Sequence, residues 1–172
     1  MYRGGHAGFN ALLYAPVVPI VTDRWSLALA VWGALLAVST ATVPDIDEVI
    51  DRIDHRGPTH TVWFAIVTGL VVGGATALLV GASPRFGVSS GLGFTFGFVV
   101  GTCGIVAHLA GDIVTPMGIS PLEPLSRAHV TFDLFKSKNG RINRAVFLVG
   151  TGALLASLGL TIVSLLWVAP SG

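Results

Sequence analysis

Charged side chains are scarce in this sequence, making up 11% of its 172 residues against roughly 25% in an ordinary soluble domain. With 52% hydrophobic residues and a mean hydropathy of +0.78, residues 1–172 read as a single membrane-embedded domain. The net charge of only +1 comes with no basic stripe interleaved with aromatics, which speaks against a nucleic-acid partner. One cysteine, Cys103, excludes an internal disulfide framework and a thiolate metal cluster. Its place in an apolar run makes it a small packing residue. A signal-peptide pattern is missing too, because Pro16 and Pro19 interrupt the first apolar stretch and no small-residue cleavage site follows. That stretch is expected to be retained.

What the chain does have is long apolar runs. A helix needs about 20 apolar residues to cross a bilayer core. Thr61 to Ala82, Val88 to about Asp112, and about Ala145 to Ala169 meet that length, and Trp25 to Thr42 is slightly shorter but uninterrupted. Ala7 to Val21 is short and carries the two prolines, which predicts a kinked span or a re-entrant piece. The expected fold is all-α, a polytopic bundle of about five membrane helices. Gly93, Gly97 and Gly101, with Gly69 and Gly73, predict close helix contact inside the bundle first and self-association second, so a homo-oligomer stays open.

If every segment crosses, Arg3, Arg52, Arg56, Arg127, Lys136, Lys138, Arg141 and Arg144 fall on one side, and only Arg24 and Arg85 on the other. The positive-inside bias makes the first side cytoplasmic and the C-terminus external, in a multi-pass protein of the cell or inner membrane. The same threading brings His6, Asp45, Asp47, His55, His60, His108 and Asp112 to that one face.

These residue types carry a chemistry. His108 and Asp112, in "HLAGD", lie one helical turn apart and project from one side. His6 and Asn10 share a face in the same way. "VPDID" sets Asp45 and Asp47 on a turning segment after Pro44, and in "DHRGPTHT" Gly57 and Pro58 enforce a turn between His55 and His60. Thr59 is placed to cap the following helix. Arg56 offers a planar fork of donors suited to phosphate. Imidazole and carboxylate ligands without thiolates suit zinc, manganese or iron, and several carboxylates permit one or two ions. An ion of this kind polarises a phosphoryl or acyl oxygen, which is hydrolase chemistry.

The motifs and their order resemble the YdjM-like family, the LexA-regulated membrane-bound metal-dependent hydrolases. The family's pattern of an N-terminal histidine, "LPDIDHP", "HRGxTHS" and "SHxxxDxxTPxGxxxLxP" stands here as "GGHAGF", "VPDIDEV", "HRGPTHT" and "AHLAGDIVTPMGISPLEP", from His6 to Pro124. The family is in turn similar, distantly, to the zinc-dependent phospholipase C and single-strand nuclease superfamily. The resemblance implies metal-ligand roles for His6, Asp45, His60, His108 and Asp112, with zinc the first candidate. It leaves Asp47 and His55 as a bridging or supporting carboxylate and a second ligand or acid–base group. Glu48 and Val49 replace the histidine and proline that often follow "PDID", so a ligand from that histidine is missing or replaced by Glu48.

The expected reaction is hydrolysis of a phosphoester in a lipid or another membrane-associated small molecule, with Asp47, His55 and Arg56 as the catalytic set. The basic run "FKSKNGR" suits membrane lipid as a partner, although topology alone accounts for such charges. A metal transporter is a weaker alternative, since the helix interiors offer only hydroxyls, Cys103 and glycines. A regulatory or structural membrane protein with a stabilising metal is another.

Overall fold

The computed structural model describes residues 1–50, 52 and 55–168, without the side chain of Val168. Asp54 of "DHRGPTHT" and Ala169, the expected end of the last span, lie outside the described residues. The helices are α1 (Arg3–Tyr14), α2 (Val17–Arg24), α3 (Leu27–Thr40), α4 (Val62–Gly81), α5 (Ser90–Ile113) and α6 (Gly140–Val168). Short 3₁₀ turns occupy Pro44–Glu48, Pro58–His60 and Pro84–Phe86. Among the described residues, four stretches are long and apolar enough to cross a membrane: Leu27–Glu48, Val62–Gly81, Ser90–Ile113 and Gly140–Trp167.

Polar side chains set where the long helices begin. Ser26, Thr61 and Ser89 accept hydrogen bonds from Leu29, Phe64 and Leu92 backbone N–H groups, at 3.2, 3.2 and 3.3 Å. Each satisfies one of the donors that a helix start leaves free. Asn139 does the same for Arg141 and Ile142, so α6 starts at Gly140, before the expected Ala145. Its polar first turn hides it from a hydropathy reading. The cap of α4 is Thr61 and not Thr59, because Pro58–His60 forms its own turn ahead of the helix.

The first segment breaks where its sequence says it must. Pro16 caps α2, leaving two helices of 12 and 8 residues in place of one span. Together they run the length of the bundle. His6 lies against α5 at the polar end, with ring centroids of His6 and His108 3.7 Å apart. At the other end Ser26 Oγ donates to the Phe86 carbonyl at 2.8 Å, in the turn between α4 and α5.

The glycines behave as intramolecular contacts. A Cβ at Gly69 or Gly73 would meet the Phe98 or Phe94 carbonyl oxygen at 2.9 or 2.8 Å, and one at Gly101 would meet Val72 at 2.9 Å. Helices α4 and α5 therefore touch backbone to backbone, which in lipid replaces hydrophobic burial as the source of association. Gly150 makes a second such contact, where a Cβ would collide with the carbonyl oxygen of Gly8, so α6 seats on α1. The apolar core of Ala11, Tyr14, Val18, Leu29, Ala30 and Ala34 fills the space between α1, α2 and α3. Outward-facing Leu70, Val71, Leu78, Leu160 and Leu166 remain exposed, as lipid-facing residues should.

Candidate metal centre

Four separate elements deliver side chains to the polar end. Helix α5 carries His108 and Asp112 on one face, with His108 Nε2 3.4 Å from Asp112 Oδ2. The Pro58–His60 turn presents His60, whose Nε2 lies 3.2 Å from His108 Nε2 and 3.3 Å from Asp112 Oδ2. The Pro44–Glu48 turn brings Asp45 Oδ1 to 3.5 Å from His108 Nε2. Helix α1 lays the His6 ring on the His108 ring, the planes 16° apart. Gly111 makes room for it, since a Cβ there would approach His6 Nδ1 to 2.9 Å. His6, His60 and His108 have no exposed surface, and Asp112 and Asp45 are buried.

Neighbouring groups fix which atoms face inward. His108 Nδ1 lies 2.7 Å from the Ala41 carbonyl oxygen. That oxygen can only accept, so Nδ1 carries the proton and Nε2 presents a lone pair. His60 Nδ1 lies 3.1 Å from Thr59 Oγ1, whose own proton goes to Asp47 Oδ2, so the hydroxyl accepts from Nδ1–H and the same tautomer results. Two lone pairs and a carboxylate oxygen thus converge at 3.2 to 3.4 Å, an arrangement that is repulsive unless a proton or a metal ion joins them. Ligand bonds of about 2.0–2.1 Å in a tetrahedron place neighbouring donor atoms roughly 3.3–3.4 Å apart. The donor set fits a metal ion. Among the described residues, two groups qualify as possible holders, His6 with His108 and Asp112, and Asp45 with His60 and His108.

A second ring of contacts holds these ligands. Asp47 Oδ2 accepts from the Arg56 backbone N–H at 2.7 Å and from Thr59 Oγ1 at 3.3 Å, and faces His55 Nδ1 at 3.4 Å. Arg56 adopts a left-handed backbone, φ 60°, which turns its amide to Asp47 and its side chain inward. Its guanidinium donates to Asp112 Oδ1 at 2.8 Å, to the Gly118 carbonyl at 2.9 Å and to Thr115 Oγ1 at 3.2 Å. The Met1 backbone nitrogen reaches the same Asp112 oxygen at 2.6 Å. His6 Nε2 lies 3.4 Å from that oxygen without hydrogen-bond geometry, and both of its ring nitrogens lack a partner, as does Asp47 Oδ1.

Every residue named from the sequence is thus at this end of the bundle, in distinct places. His6, Asp45, His60, His108 and Asp112 form the centre, while Asp47 stands behind His60. Arg56 is committed to Asp112 and the loop after α5. His55 is half exposed at the rim, its side chain 47% accessible. Glu48 turns away to Arg3, 3.4 Å apart in an exposed pair, and does not replace a ligand. Sequence reasoning missed Thr115, Gly118 and the Ala41 carbonyl, and took Thr59, which bridges Asp47 and His60, for a helix cap. The "TPMG" stretch after Asp112 contained the clue for two of them: Thr115 and Gly118 receive Arg56, and Gly118 makes the bend at φ 56°. His129, which had no expected partner, stands 3.5 Å from Ser120 Oγ in the exposed loop.

No curated protein and no solved structure matches the chain. A known family does match, over residues 1–170, a range that takes in the ligand-bearing elements and α6 alike. The chain belongs to the YdjM inner membrane protein family.

Proposed function

We propose that the chain is a membrane-bound metal-dependent hydrolase that cleaves a phosphoester of a lipid or membrane-associated substrate. The observation that supports it is the convergence of His60 Nε2, His108 Nε2 and Asp112 Oδ2 within 3.2 to 3.4 Å, with both imidazole lone pairs aimed inward. Asp45 completes the set, and zinc is the ion that such nitrogen and oxygen donors suit first. A single ion is favoured over two. On the His6 side, Asp112 Oδ1 already meets the Arg56 guanidinium, so a second cation there would face positive charge.

When bound, the ion supplies Lewis-acid charge beside the phosphorus and acidifies water. The chain's own residues do the rest. Asp47, acting through the Thr59 hydroxyl, orients His60 and keeps its Nδ1 proton in place. Arg56 holds Asp112 against the centre. His55, exposed at the rim and 3.4 Å from Asp47, is the group placed to exchange a proton with solvent during turnover. The charge bias of the loops supports a cytoplasmic position for this end.

A second reading, a structural metal, draws on the complete burial of His6, His60 and His108, since closed four-ligand sites are typical of structural zinc. The test measures metal content by elemental mass spectrometry in wild type, His108→Ala and Asp112→Ala, then turnover of phosphodiester substrates by loaded wild type and His55→Ala. About one ion per chain, lost in both ligand variants, with turnover that falls in His55→Ala, supports the hydrolase. Metal-dependent stability without turnover selects the structural ion. Folded wild type that takes up neither zinc nor manganese overturns both.

A further inference from the structure

Outside the centre, a groove of about 540 Å³ opens between the start of α4 and the loop that follows α5. Trp63, Phe64 and Val67 line it from α4, and Glu123 and Arg127 line it from the loop. We infer that this groove binds a phospholipid whose headgroup is zwitterionic, with a phosphate and a primary ammonium.

The loop charges select that headgroup. Among the described residues neither Glu123 nor Arg127 belongs to an ion pair, although both line one groove. The Arg127 guanidinium offers a fork of donors to a phosphate. A purely anionic headgroup would set its second charge against the Glu123 carboxylate. A primary ammonium instead gives that carboxylate N–H donors, which a quaternary ammonium lacks. The α4 lining continues along the helix into exposed Leu70 and Val71, an apolar track for an acyl chain. Trp63 sits at the polar end of that track, the level at which interfacial tryptophans reside. The loop is fixed to the helix by a hydrogen bond from the Val62 N–H to the Pro121 carbonyl at 2.9 Å.

One short segment joins groove and centre. Pro58 and Thr61 line the groove, while Thr59 and His60 between them are buried against Asp47 and His108. A phosphate at the groove therefore lies next to the segment that carries a metal ligand. That the lipid is also the substrate rests on the hydrolase reading; that it binds does not.

Native mass spectrometry of detergent-solubilised protein, titrated with phosphatidylethanolamine, phosphatidylcholine or phosphatidylglycerol of identical chains, tests the inference. Phosphatidylethanolamine should be held roughly five- to tenfold more tightly than the other two, about the net worth of one ordinary hydrogen bond. Glu123→Gln should abolish the preference over phosphatidylcholine, and Arg127→Ala should weaken all three, with metal content unchanged in both. Chelator-stripped wild type should keep the preference, so failure of the hydrolase reading would not mimic failure here. Equal retention of the three lipids, a preference for phosphatidylglycerol, or variants that bind as wild type does would overturn it.

Discussion

Arg56 and Asp112 meet at 2.8 Å through one carboxylate oxygen, while the other oxygen of Asp112 faces His60 and His108. The guanidinium thus holds the ligand from behind and leaves its inward oxygen free. Lysine would keep the charge but could not span Asp112, Thr115 and Gly118 together. Arg56→Lys should lower metal affinity by roughly tenfold, as loss of an outer-shell partner commonly does. Competition with a chromogenic chelator reads this directly, and an unchanged affinity would remove Arg56 from the supporting shell.

Asp47 presents the same logic from the other side. Its Oδ2 collects the Arg56 amide, Thr59 and His60, and an asparagine amide could not offer that negative charge. Asp47→Asn should weaken metal binding about 10- to 100-fold, while the metal-free proteins unfold at similar temperatures. Equal affinity in wild type and variant would show that His60 needs no such support.

Asn10 bridges three helices. Its Nδ2 donates from α1 to the Ala37 carbonyl at 2.9 Å and the Gly104 carbonyl at 3.0 Å. Asn10→Leu should cost about 1–2 kcal/mol, the usual range for a buried hydrogen bond between membrane helices. Denaturant titration in detergent micelles measures it, and a neutral result would assign that corner's stability to packing alone.

Gly150 and Gly152 form an internal control. A Cβ at Gly150 would strike the Gly8 carbonyl oxygen, whereas one at Gly152 has nothing within 4 Å. Gly150→Leu should separate α6 from α1 and strongly lower the yield of folded protein, while Gly152→Leu should be tolerated. Size-exclusion profiles of the two variants give the comparison, and similar profiles would refute the contact.

Topology makes a separate demand. With the basic loops in the cytoplasm, a cysteine at Trp167 in a Cys103→Ser background should react with an impermeant maleimide added to intact cells. Reaction only after lysis would reverse the orientation of the bundle.

The gathering of His6, Asp45, His60, His108 and Asp112 was legible because a bilayer confines helix ends to two planes, so counting spans alone sorts polar residues by face. The break at Pro16 was equally legible, since proline has no amide to continue the ladder. Tasks within the face were not. Arg56 reads as a free phosphate fork until the left-handed turn at its own backbone aims it at Asp112. Gly150 belongs to no four-residue repeat, because its partner, Gly8, lies on a helix far away in sequence. The early start of α6 escaped notice because Arg141 and Arg144 look like loop to any hydropathy window.

The contact of α6 with α1 has a consequence for how the protein is made. During synthesis His6 emerges first, and the groups that position it arrive last: Gly150 against Gly8, and Asn143, whose side-chain oxygen accepts the Tyr2 amide at 2.9 Å. The final helix brings no ligand of its own, yet its contacts with α1 hold the segment that lays His6 against His108.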